Sequence, residues 1–161
     1  MGNKTSSPKL PPLVAMQKFI DIQRFMGTWY VIACKPTYFE IGAHNAVEKY
    51  SWNEIKQQVD IEFEFNKENG PVQKISQAGY IYNDNKTEWR LSPFWPIKLP
   101  YLIIELDDDY TYTVIGYPSR DYLWIMARSK EIDNNLYEEL TEKLKNKHSY
   151  DLSGLVKIPH N

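Results

Sequence analysis

Between positions 59 and 65 the chain alternates without a break: Val59, Ile61, Phe63 and Phe65 are apolar, and Asp60, Glu62 and Glu64 between them are acidic. Successive side chains of a strand point to opposite faces, so this segment carries one oily face and one wet, charged face. A strand with a solvated face belongs in an antiparallel sheet, because parallel sheets are covered by helices on both sides. Thr111 and Thr113 alternate with Tyr112 and Val114 in the same manner. Strand-like segments recur at about 28–36, 44–53, 57–66, 73–82, 87–93, 101–107, 111–117 and 122–129, and the gaps are too short for crossover helices. Turn chemistry fills several of them: Asn69-Gly70, Asp107-Asp108-Asp109-Tyr110 and Pro118-Ser119-Arg120-Asp121.

One convincing helix follows the strands. From Asp133 to Lys147, Ile132, Leu136, Leu140 and Leu144 recur at fourfold spacing and make a single apolar stripe. Asp133 is placed to cap it, with acidic residues early and lysines late, as the helix dipole favours. A shorter helical turn is expected from Asp21 to Gly27, and a short edge strand within Gly154 to Ile158. Eight strands and then one helix predict an all-β fold: an eight-stranded up-and-down antiparallel β-barrel with a C-terminal α-helix packed outside. A chain of 161 residues suits one such core, and its five Trp and twelve Tyr favour strands.

The domain is read as residues 18–161, preceded by a flexible tether, residues 1–17, whose first part is polar and proline-bearing. No run of about 18 apolar residues is present to span a membrane as a helix. A net charge of -2 gives no electrostatic ground for nucleic acid. Cys34 is the single cysteine, so no intramolecular disulfide forms. His44, His148 and His160 are too dispersed for a persuasive metal site, and no cofactor is expected.

Three short motifs stand in order at strand ends. Gly27-Thr28-Trp29-Tyr30 opens the first strand, Asp109-Tyr110 lies between the sixth and seventh, and Arg128 ends the eighth in Tyr122-Leu123-Trp124-Ile125-Met126-Ala127-Arg128. Together they resemble the three signatures of the lipocalins, and residues 18–158 are most similar to the bacterial lipocalin group, which includes apolipoprotein D and the plant temperature-induced lipocalins. Tyr38-Phe39-Glu40-Ile41-Gly42, Ile104-Glu105-Leu106-Asp107 and Arg120-Asp121-Tyr122-Leu123-Trp124-Ile125 carry the same likeness. The resemblance implies a cup closed at one end by Trp29, with the Arg128 guanidinium over its indole, a contact worth roughly 0.5–2 kcal/mol. Gly27, Trp29, Asp109, Tyr110 and Arg128 are thereby structural residues. One departure is Val31-Ile32-Ala33-Cys34, where bacterial relatives usually carry Glu and Arg at the first and last positions.

An eight-stranded barrel is just wide enough to be filled by side chains or to hold one small ligand. The resemblance implies the ligand, a fatty acid or lysophospholipid, held near a membrane. Strand parity gives a lining of Val31, Ala33, Ile61, Phe63, Trp89, Leu91, Leu102, Ile104, Leu106, Tyr112, Val114 and Trp124, which a bulge in any strand would invert. The loop from Pro36 to Ala43 is expected to form a lid carrying Tyr38 and Phe39; Phe94-Trp95-Pro96-Ile97 either forms an exposed aromatic lip for a membrane surface or a second subunit, or packs its aromatics beneath the loop. If Tyr50 faces inward, as the family suggests, Glu48 does too. An interior carboxylate is costly unless paired or protonated. It would meet Lys35, bind a positively charged headgroup, or face solvent in a shifted register; the last is favoured.

Bacterial members are outer-membrane lipoproteins with a lipidated cysteine and a Ser/Pro-rich tether. Residues 2–12 look like such a tether, with Met1 where the cysteine would be, which implies a periplasm-facing outer-membrane anchor. Gly2 with Ser6 also fits the looser myristoylation pattern, and a cytoplasmic or peripheral-membrane location is the alternative. No catalytic residue is expected. The competing functions are a lipocalin-fold enzyme acting on a lipid or isoprenoid, with Cys34 as nucleophile, and an interaction module with a filled interior.

Overall fold

The computed structural model describes residues 9–161. After a short helix α1 (Ile22–Phe25) the strands run β1 (Gly27–Lys35), β2 (Ala43–Asn53), β3 (Gln58–Lys67), β4 (Gln73–Ile81), β5 (Glu88–Ser92), β6 (Leu99–Leu106), β7 (Tyr112–Gly116) and β8 (Leu123–Ala127). Helix α2 (Asn134–Asn146) and a two-residue strand β9 (Val156–Lys157) complete the chain, and a 3-10 turn (Tyr38–Glu40) interrupts the β1–β2 connection. Each of β2 to β7 pairs antiparallel with the next, β8 pairs with β1, and β1 pairs back to β2. That last contact closes the eight-stranded barrel, and closure leaves no long free edge for another chain to extend.

Closure is uneven. β1 pairs with β2 only from Gly27 to Tyr30; beyond that the strands separate and β9 takes the vacant edge, Ala33 opposite Lys157 and Cys34 opposite Val156. The Ile158 amide donates to the Ile32 carbonyl at 2.9 Å, and the Asn45 amide to Pro159 at 2.8 Å. The C-terminal segment thus satisfies backbone groups that the splayed barrel wall would otherwise leave unpaired.

Two apolar layers result. One fills the barrel, and the other lies between its outer wall and α2, where Leu140 and Leu144 meet Ile32, Leu102, Ile104, Val114, Leu123 and Ile125. The helix begins where the sequence places it, with the Asp133 carboxylate accepting from the Asn135 amide at 2.7 Å. Residues 13–17, read from the sequence as tether, are held against the barrel. Leu13 and Ala15 are buried in the outer layer, and the Leu13, Met16 and Ile20 amides donate to Pro118, Ile103 and Asn85, making a strap along the barrel. The N-terminal features at Met1, Gly2 and Ser6 lie outside the described residues. At the β3–β4 hairpin the positive φ, 49°, falls on Glu68, one residue ahead of Asn69-Gly70.

Candidate functional site

The barrel has a built floor. Arg128, just past β8, lays its guanidinium carbon 3.7 Å from the Trp29 ring centre. Its nitrogens donate to the carbonyls of Thr28 at 2.9 Å, Arg24 at 2.8 Å, Phe25 at 3.3 Å and Tyr110 at 3.2 Å. One planar fork therefore ties α1, β1 and the β6–β7 turn together, which a point charge on a flexible stem would not do. Gly27 is required beside it. Its φ is +99°, and a Cβ there would stand 3.3 Å from Arg128 Nη1. The Trp29 indole donates to the Phe25 carbonyl at 2.8 Å, and the Phe25 ring packs on Trp29, Tyr50 and Trp89 at 5.2, 5.8 and 5.5 Å. Above these, Trp89 stacks on Tyr101 at 4.6 Å, and the Tyr50 and Tyr101 hydroxyls bond at 2.8 Å.

In the Asp109-Tyr110 signature, Tyr110 takes a positive φ of 56° and its hydroxyl accepts from the Asp21 amide at 2.8 Å. Asp109 is exposed, and the carboxylate that organises the turn is Asp107, which accepts from the Thr111 and Tyr112 amides. Sequence reasoning missed this residue, although an Asp opening a tight turn is a recognisable signal.

The interior wall agrees in part with strand parity. Val31, Tyr50, Ile61, Phe63 and Trp89 are buried in the inner layer, with Leu91, Leu106 and Trp124 packed against it. Ala33, Leu102, Ile104, Tyr112 and Val114 belong instead to the outer layer beneath α2 and the strap. In β1 and β6 the cause is a β-bulge. The β1–β8 register shifts between Val31 and Ala33, which turns Ala33 outward, and the β6–β7 register shifts between Ile103 and Glu105, so Leu106 faces inward while Leu102 and Ile104, ahead of the shift, face outward. Cys34, Tyr101 and Ile103 hold the inward positions. In β7 the apolar face of the alternation is covered by α2 rather than turned to the lumen. Ile115 is the inward residue, and the buried Thr113 satisfies its hydroxyl on the Glu105 carbonyl at 2.7 Å.

The mouth is defined by two loops. Phe39, expected to line the lid, stands 71% exposed beside Tyr38 at 83%, and Trp95 on the β5–β6 loop is 85% exposed next to Phe94. The residue of the lid turn that points inward is Glu40. It is buried, and one of its carboxylate oxygens accepts from the indole of Trp124 at 2.8 Å. Cys34 lies opposite Trp124; burial, with the Glu40 carboxylate adding to it, pushes the thiol up to about 12, which leaves it protonated at neutral pH and a poor nucleophile.

Glu48 corrects the sequence reading most. Its register partners are Trp29 on β1 and Phe63 on β3, both inner-layer residues, so it faces the lumen and not solvent. Its Oε2 is buried without a hydrogen-bond partner. Lys35, a candidate partner, donates instead to the Asp151 carbonyl at 2.6 Å. Burial, reinforced by the charge of Glu40, holds the Glu48 carboxyl well above the ordinary carboxylate range.

The pattern of a lipocalin-like domain matches residues 20–160. Temperature-induced lipocalin-1 of Arabidopsis thaliana is 30% identical over 88% of this chain and 80% of its own length. The outer membrane lipoprotein Blc of Citrobacter freundii is 31% identical over 84% of this chain and 77% of its own. Insecticyanin of the tobacco hornworm Manduca sexta superposes with a TM-score of 0.71 at 20% identity, covering 97% of this chain and 87% of that one. The barrel closed by β1–β2 pairing, its Trp29–Arg128 floor and the span of these matches agree: the chain belongs to the lipocalin-like family of binders of small hydrophobic ligands.

Proposed function

We propose that this lipocalin takes up a single-chain amphiphile, of the fatty acid or lysophospholipid kind, from a membrane surface and holds it in the barrel. The observation that carries the reading is the asymmetry of the barrel. One end is sealed by Trp29, Phe25 and Arg128, and the other is ringed by Tyr38, Phe39, Phe94 and Trp95, all exposed. A chain entering past Trp124 toward Phe63 gains roughly 0.8 kcal/mol per buried methylene. Exposed aromatics grouped at one rim suit the headgroup layer of a lipid surface. An N-terminal lipid anchor would hold the rim near that surface, as the outer membrane lipoproteins among the relatives suggest.

The test is transfer of a fluorescent lysophospholipid from vesicles to the protein. Uptake to about one ligand per chain is expected, slowed about tenfold in the double variant Phe94→Ser/Trp95→Ser with equilibrium affinity retained. Absence of uptake at any protein concentration would sink the carrier reading. Unchanged transfer by the double variant would remove the rim from it and redirect attention to that face as a self-association surface.

A further inference from the structure

The lumen carries acid without a matching base. Glu48 projects into it from β2 between Trp29 and Phe63, and Glu40 folds inward from the lid turn, held by Trp124 and by the Thr37 hydroxyl. The other titratable groups facing this space are Cys34 from β1, Tyr50 from β2 and Tyr101 from β6, none of which is cationic. Among the described residues, no lysine, arginine or histidine forms an ion pair with Glu40 or Glu48. Arg128 is committed to backbone carbonyls beneath the Trp29 ring.

Glu40 has donors on both carboxylate oxygens, so its needs are met within the protein. Glu48 Oε2 has none and no exposure to solvent. A buried polar atom left without a partner destabilises a fold by roughly 1–3 kcal/mol, and the surrounding side chains are large apolar ones that would pack a methionine readily. Glu48 as a whole is only partly buried, so its carboxyl stays within reach of a head placed in the barrel. What it lacks is a hydrogen-bond donor, and the charge already present there favours a positive one.

We propose that the barrel selects a single-chain amphiphile whose head carries an ammonium group, seated in the barrel with its N–H donating to the Glu48 carboxylate. The idea rests on the carrier reading above and narrows it, since a free fatty acid would bring a further acid group into a space that already holds the Glu40 and Glu48 carboxyls and no base. Burial and the Glu40 charge raise the affinity of Glu48 for its proton. As the ammonium docks, that proton passes to solvent and a neutral ion pair replaces a neutral acid.

The experiment compares dodecylammonium, dodecanol and dodecanoate, read by displacement of a fluorescent fatty probe and by intrinsic tryptophan emission, in the natural chain and in Glu48→Gln and Glu48→Met. Dodecylammonium is expected to bind about tenfold or more tighter than dodecanoate, and both substitutions should reduce that ratio to within about threefold while leaving dodecanol unchanged. Glu48→Met should also raise the thermal midpoint at pH 7, because it removes an unsatisfied carboxyl. A structural role for Glu48 would lower the midpoint instead. Equal binding of the three heads, tighter dodecanoate, or a ratio unmoved by Glu48→Gln overturns the headgroup inference and leaves the carrier reading standing, because dodecanol still enters. Failure of all three to bind overturns the carrier reading, and this inference with it.

Discussion

Arg128 concentrates more of the fold than any other side chain, because its guanidinium meets four backbone carbonyls and one indole face. Arg128→Met keeps the stem over Trp29 but leaves those carbonyls with poorer partners. The expected cost is about 2–4 kcal/mol in urea unfolding, with Arg128→Lys recovering less than half. A variant within about 0.5 kcal/mol of the natural chain would show that Trp29 alone seals the floor. These signature residues were legible in the sequence through resemblance, since Gly27, Trp29, Tyr110 and Arg128 sit at strand ends in the right order. Asp107 and Glu48 were not. Asp107 was hidden in a run of three aspartates of which only geometry picks the capping one, and Glu48 looked like a solvated residue because carboxylates seldom enter an apolar lumen unpaired.

At the scale of elements, the sequence placed every strand, the helix and the C-terminal edge strand close to their positions, because turn residues and alternation are local signals. Facing was less legible. β3 and β5 have an outer face open to water, so polarity marked it correctly at Asp60, Glu62 and Arg90. β6 and β7 lie under α2, where both faces are apolar, and the bulge between Ile103 and Glu105 has no sequence mark. The same bulge puts Glu105 outward, toward α2. There the Glu105 carboxylate meets His148 Nε2 at 2.8 Å and Lys147 Nζ at 2.9 Å. Burial alone would push its affinity for a proton up, but those hydrogen bonds and the charges of Lys147 and Lys143 outweigh it and hold the carboxyl down at about 2.

A carboxyl whose folded value is depressed stabilises the fold above its unfolded value, near 4.5, and that contribution fades as pH falls toward 2. Urea unfolding should therefore lose roughly 2–3 kcal/mol between about pH 5 and pH 2 through this group. Glu105→Gln should be less stable at pH 7 and show a flatter acid limb. Identical acid limbs in the two proteins would contradict the clasp.

The whole molecule is a cup, with α2 and the strap from Leu13 to Ile20 bracing one side and the C-terminal segment filling the gap that opens between β1 and β2. Sealed floor, apolar wall and aromatic rim follow from one topology, and the fold class was readable from strand count and spacing before any likeness was considered. What occupies the lumen was not readable, because pattern tells which face is apolar and not whether neighbouring faces leave room. Native mass spectrometry of the protein purified under gentle conditions addresses that directly. A carrier of this kind is expected to show a noncovalent adduct of one single-chain amphiphile per barrel, lost on collisional activation and restored by reloading. A chain that flies ligand-free from every preparation and takes up no amphiphile on reloading would contradict the carrier reading, and would make the barrel a filled scaffold.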